Sequence, residues 1–78
     1  MRAGAAAYGR AMVDVATMLR ELGEHPDPWL KTCALYAIGA GGLPGFADLV
    51  RRDREAADEL VADTAELAFE RLVAAGVA

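Results

Sequence analysis

At 78 residues, 55% of them apolar and 26% charged, the chain is one small domain at most, of a size where a single core supplies only about 3–5 kcal/mol. Its net charge of −4 and isoelectric point near 4.7 argue against nucleic acid as a partner, because phosphate binding rests on a basic surface. One cysteine, Cys33, excludes an internal disulfide and a thiol-rich zinc site; no window approaches the roughly 18 apolar residues of a membrane span, and the expected setting is cytoplasmic.

In chain order, residues 1–8 are rich in Ala and Gly and read as a flexible lead-in to a single helical domain over 9–76. Their charge and small residues lack the bulky apolar run of a signal peptide. A first helix is expected over about 9–22, where Met12, Val15, Leu19 and Leu22 recur at spacings of three and four, with Gly23 as its stop. Pro26 then turns His25 away from helix, Asp27 can cap and Pro28 suits a first helical position, so a second helix is expected over 28–38. That helix is apolar on two sides. Leu30, Ala34, Ala37 and Ile38 make one, and Trp29, Cys33 and Tyr36 the other, a pattern that predicts burial on both flanks.

Four glycines between Gly39 and Gly45 interrupt it, and Pro44 is read as opening a third helix over 44–52, with Phe46, Leu49 and Val50 inward. A fourth helix is expected over 57–75. Its broad apolar face carries Leu60, Val61, Ala65, Leu67, Ala68, Phe69, Leu72 and Val73, and its acidic side Asp58, Glu59, Asp63, Glu66 and Glu70. No sustained period-two alternation points to a strand. The class read from these patterns is all-α, a short array of about four antiparallel helices.

The residues able to do chemistry are scattered. His25 stands alone in a polar connection, without the oriented neighbour of a general base or the His-Glu-x-x-His spacing of a zinc site. Cys33, mid-helix among apolar neighbours, reads as a buried, inert thiol. The Gly39–Gly45 stretch follows a helix rather than a strand and lacks the Lys-Ser/Thr pair of a phosphate loop. Arg51, Arg52 and Arg54 alternate with Asp53 and Glu55, as on a salt-bridged surface. No catalytic, cofactor-binding or metal residues are assigned, and the chain is not expected to be an enzyme. The candidate interaction surface is instead Trp29 and Tyr36, large amphipathic side chains that otherwise would pack on the preceding helix, together with the acidic Asp63, Glu66 and Glu70.

Sliding the chain by about 31 residues places Trp29-Leu30 over Leu60-Val61, Ala34 over Ala65, Tyr36 over Leu67, Ala37 over Ala68 and Ile38 over Phe69, apolar on apolar and Ala on Ala, as stacked helix pairs require. The run Asp27-Pro28-Trp29-Leu30-Lys31-Thr32-Cys33-Ala34-Leu35-Tyr36-Ala37-Ile38-Gly39, with Gly42-Leu43-Pro44 and Leu60-Val61-x-x-Thr64-Ala65-x-x-Ala68, resembles bacterial HEAT repeats. It is similar in particular to those preceding cyclic nucleotide-binding domains in large proteins related to nucleotide-carrier-type transporters. The resemblance spans about residues 10–73 and implies a HEAT-like α-solenoid segment that acts as a protein–protein interaction, scaffold or spacer module. Lys31 and Ala62 stand where such repeats commonly carry an Arg that bridges to an Asp of the neighbouring repeat.

Because the chain ends on what would open another repeat, two expectations follow: a piece of a longer solenoid, or an oligomer whose self-association covers open repeat ends. The alternative function, from a different class, is a small regulatory helical domain binding a ligand in a pocket near Trp29, Cys33 and Tyr36.

Overall fold

The computed structural model describes residues 15–78, and these form four helical segments with no strand among them. We label them α1 (15–24), α2 (Pro28–Gly41), α3 (Ala47–Asp53) and α4 (Glu59–Ala74). The all-α class is as the sequence indicates. The expected lead-in over 1–8, and positions 9–14 of the first helix with Met12, lie outside the described residues.

Both long helices start the same way. Asp27 accepts the Trp29 N–H through Oδ1 at 2.9 Å, and Asp58 accepts the Leu60 and Val61 N–H groups at 3.0 and 3.2 Å. The two caps stand 31 residues apart (58 − 27) with nearly the same backbone, φ −73° and ψ 118° against φ −76° and ψ 121°. Each satisfies N–H groups that the helix itself leaves unpaired. Asp27→Ala and Asp58→Ala are each expected to cost about 1 kcal/mol in urea unfolding, with the larger loss at Asp58 and most of either recovered by Asn. Equal stability of all four chains would show that the caps contribute nothing.

The ends also recur. Gly42, at φ 57°, donates its N–H to Gly39 O while Leu43 donates to Ile38 O, both at 3.1 Å; after α4, Gly76 at φ 77° donates to Val73 O and Val77 to Leu72 O, both at 3.0 Å. Both are Schellman closures, with Leu43 and Val77 folding back onto the core.

Three expected boundaries move. Gly23 is no stop: α1 runs through Glu24, and Gly23 is buried against Leu49. Gly39 and Gly41 lie inside α2, whose stop is Gly42, the first position of that stretch with positive φ. Pro44 belongs to a turn rather than to α3. Pro44-Gly45, with Gly45 at φ 86°, is the Pro-Gly pairing of a type II turn, and α3 begins only at Ala47.

Alternate helices run in the same direction. Along α1, Arg20 Nη2 donates to Gly45 O at 2.6 Å, Gly23 meets Leu49 and Glu24 meets Arg52 at 2.9 Å, so successive positions meet the successive positions leading into and along α3. Along α2, Tyr36 lies beside Thr64 and Leu67, Gly39 against Ala68 and Gly42 against Ala75, so α2 advances with α4. The core fills the space between: Leu19 from α1, Ala34, Leu35 and Ile38 from α2, Phe46, Leu49 and Val50 from α3 and its approach, and Val61, Ala65, Ala68 and Leu72 from α4. Leu35, which the spacing argument did not single out, is among the largest fully buried side chains. Val15, expected inward, is exposed.

Charged groups close the seams. Gly23 O, at the negative end of α1, accepts Lys31 Nζ at 3.0 Å and Arg52 Nη2 at 3.3 Å. The bond to Glu24, and less strongly the neighbouring Asp53, holds the Arg52 guanidinium above its ordinary pKa. Arg54 pairs with Glu66 at 2.9 Å and lies 4.5 Å from the Phe69 ring centroid, with Arg51 at 5.7 Å from the same ring. Arg51 and Arg54 therefore roof the α3–α4 junction, while Arg52 ties α3 to the end of α1. Asp53 is buried and receives Arg52 Nε on Oδ1 at 3.2 Å, while its Oδ2 has no partner among the described residues.

Candidate functional site

The side chains expected to bury the second flank of α2 do the opposite. Trp29 is 64% exposed and Tyr36 57%, Cys33 is exposed, and so is Ala37. Only Ala34, Leu35, Ile38 and Gly39 of α2 are buried. The cause is where the core lies: Ala34, Leu35, Ile38 and Gly39 turn to it, and nothing among the described elements covers the side of α2 turned away from it.

On α4 the same division appears. Val61, Ala65, Ala68 and Leu72 are buried, whereas Leu60 and Leu67 remain 49% and 41% exposed. In the register of the 31-residue slide, Leu60 corresponds to Trp29 and Leu67 to Tyr36; Tyr36 and Leu67, each seven residues on from Trp29 or Leu60 in its own helix, line one cleft with Thr64 and Arg71. Trp29, Cys33 and Tyr36 on α2 thus share one outer face with Leu60 and Leu67 on α4. At its C-terminal end Arg71 sits 5.7 Å from the Tyr36 ring centroid. The two leucines were missed as surface residues because an apolar residue on an amphipathic helix is read as core; their pairing with Trp29 and Tyr36 in the repeat was the available signal.

The acidic candidates separate. Asp63 and Glu70 follow Leu60 and Leu67 by three residues, hence flank the apolar face, and both are exposed. Glu66 turns the other way, to its ion pair with Arg54, and belongs to the α3–α4 junction. Of the five candidate residues, Trp29, Tyr36, Asp63 and Glu70 come together and Glu66 does not.

As a small-molecule site this face offers little depth. The cleft that Tyr36 lines with Gly39, Thr64, Leu67, Ala68 and Arg71 is too tight to admit a water molecule. A wider concavity, about 320 Å³, lies elsewhere, between α1 and the Pro44-Gly45 turn, and its Arg20 is already bonded to Gly45 O and stacked 4.9 Å over Phe46. His25 is exposed, its Nδ1 accepting the Asp27 N–H at 3.1 Å in a local turn bond. Among the described residues no three His, Cys, Asp or Glu side chains converge on a point that could hold a metal.

The exposure of Cys33 overturns the expectation of a buried thiol. The folded protein is expected to react with Ellman's reagent at one thiol per chain, at a rate within a few-fold of the urea-unfolded chain. Protection by orders of magnitude would place Cys33 back inside.

No helix among the described residues is long and apolar enough to cross a membrane. Compared with family models, curated proteins and solved structures, the chain matches nothing.

Proposed function

We propose that this chain is a non-catalytic protein–protein interaction module of HEAT-repeat type, acting in the cytoplasm through the outer face of α2 and α4. The observation that carries the reading is the joint exposure of Trp29, Tyr36, Leu60 and Leu67 on neighbouring parallel helices. Trp and Tyr are the side chains that most often anchor interfaces, because they bring large area at low entropic cost, and a contiguous apolar patch is unusual on a surface that meets only water. The repeat character is supported by the 31-residue recurrence of the Asp caps and by the parallel course of α1 with α3 and of α2 with α4, which is how stacked helix pairs meet.

Which surface makes the contact is narrower than the sequence implied. The buried row of α4 is covered by the chain's own core, and the side turned away from α2 carries Glu59 and Glu66 with one exposed apolar residue, Val73. Such a polar outer side resembles a capping surface more than an uncovered repeat end. We therefore assign contact to the lateral α2–α4 face rather than to end-to-end stacking.

A photo-crosslinking side chain at position 29 or 36, compared with one at Asp48 on α3, tests the assignment in the native cell. Adducts are expected at 29 and 36 and not at 48. An even distribution over the three positions, or none at 29 and 36, removes the reason for calling this face an interface.

A further inference from the structure

We infer that the partner of this face is a basic amphipathic helix of a different protein, whose apolar side lies along Trp29, Tyr36, Leu60 and Leu67 and whose lysines or arginines meet Asp63 and Glu70. The inference rests on the reading of the face as an interaction surface and adds the chemistry of what occupies it.

The shape favours a helix. The exposed apolar residues repeat at a spacing of seven on both α2 (29, 36) and α4 (60, 67), which marks two parallel rows along about 10 Å of helix axis. Neighbouring helix axes lie about 8–10 Å apart, and a third helix can lie along the shallow seam between them, presenting its own i, i+3/i+4, i+7 row.

The charge sets the sign of its flanks. Neither Asp63 nor Glu70 takes part in any ion pair among the described residues, and neither does Glu59 one turn before Asp63. The one base on α4, Arg71, lies over the Tyr36 ring. Carboxylates left without cations beside an apolar strip attract and orient a partner carrying the opposite charge.

The chain cannot supply that charge from its described part. Arg20 bonds to Gly45 O, Lys31 to Gly23 O, Arg51 lies 4.0 Å from Asp48, Arg52 pairs with Glu24, Arg54 with Glu66, and Arg71 stacks on Tyr36. A second copy placed on the face would bring its own acidic α4 and, among the described residues, no cation without a contact of its own. A basic partner helix supplies the cations, since those of the described residues are engaged elsewhere.

The test uses three synthetic peptides of about three heptads, none containing Trp: Leu in an amphipathic row with Lys elsewhere, the same row with Glu in place of Lys, and the first composition with its Leu positions scrambled. Trp29 is the sole tryptophan, so its emission reports on the face directly. The Leu/Lys peptide is expected to shift Trp29 emission to the blue and to bind at least about tenfold more tightly than either control, with affinity falling as salt is raised. Asp63→Asn with Glu70→Gln is expected to weaken it by about tenfold, while Glu21→Gln with Glu55→Gln, a matched loss of two exposed charges elsewhere, leaves it unchanged.

If the Leu/Glu peptide binds as well as the Leu/Lys peptide, or the two charge variants behave alike, the basic partner is wrong while the apolar face survives. If the Leu/Lys peptide leaves Trp29 emission unmoved, the inference falls, and the crosslinking at 29 and 36 separately decides whether the face is an interface at all. Circular dichroism of each variant confirms that the helices are retained.

Discussion

Leu35→Ala is expected to cost about 2–5 kcal/mol, which leaves the chain largely unfolded at room temperature. Leu35 has no exposed surface and sits where α2 turns toward α4, in contact with the core that all four helices share. Truncation removes the transfer free energy of the buried carbons and opens a cavity that a framework of packed helices closes only in part. A domain of this size holds about 3–5 kcal/mol in reserve from its core, so one such cavity consumes most of it. Far-ultraviolet circular dichroism against urea reads the loss directly. The neighbouring Tyr36→Ser is the control: one residue on and facing water, it is expected to shift stability by about 0.5 kcal/mol or less. The opposite ranking would mean that α2 is rotated from the orientation described.

Gly39→Ala is expected to destabilise by about 1–3 kcal/mol, against the usual gain from replacing glycine in a helix. In an unobstructed helix the change would stabilise by about 1 kcal/mol. Here a Cβ at position 39 would lie 2.7 Å from Ala68 Cα and 3.0 Å from Ala68 Cβ. The obstruction is backbone and cannot rotate aside, so α2 and α4 would have to separate along the seam that carries most of the core. Gly23→Ala separates the two effects. Its Cβ would meet Leu49 Cδ1, also at 2.7 Å, but a leucine methyl can move, and the helix gain then largely offsets the strain. Thermal melts of the two variants should differ in sign or by several degrees. A Gly39→Ala chain more stable than its parent would show that the close approach of α2 to α4 is absent in solution.

These two positions also mark where reading the sequence succeeds and where it stops. Gly39 reads as a helix breaker, because glycine's backbone freedom is a local property and close approach is not. Leu35 falls between the two apolar sides read for α2 and belongs to neither. Trp29, Cys33 and Tyr36 read as a buried flank for the same reason: α2 is apolar almost all round, so its periodicity contains no direction. On α3, where Phe46, Leu49 and Val50 face Asp48, Arg51 and Arg52, the pattern has a direction and the inward residues are the expected ones.

The acidic candidates divide along the same line. That Asp63, Glu66 and Glu70 lie on the polar side of α4 follows from spacing, but that Glu66 is spent on Arg54 while Asp63 and Glu70 border the apolar face depends on where α3 lies. The residue types at a surface are legible in the chain. Their partners are not, since Arg54 and Glu66 meet only after two helices have docked.

What acts within a turn or two of the backbone was legible in the chain: the all-helical class, the start at Asp27-Pro28, and the 31-residue recurrence that aligns α2 with α4. Local sterics and capping set these, and they need no distant residue. Which side of α2 faces water, why Gly39 lies within a helix, and which carboxylates stay unpaired among the described residues came from the packing of the helices. Each depends on the approach of α4 to α2 or of α3 to α4, and a helix apolar on every side accepts a neighbour from any direction until the rest of the core selects one.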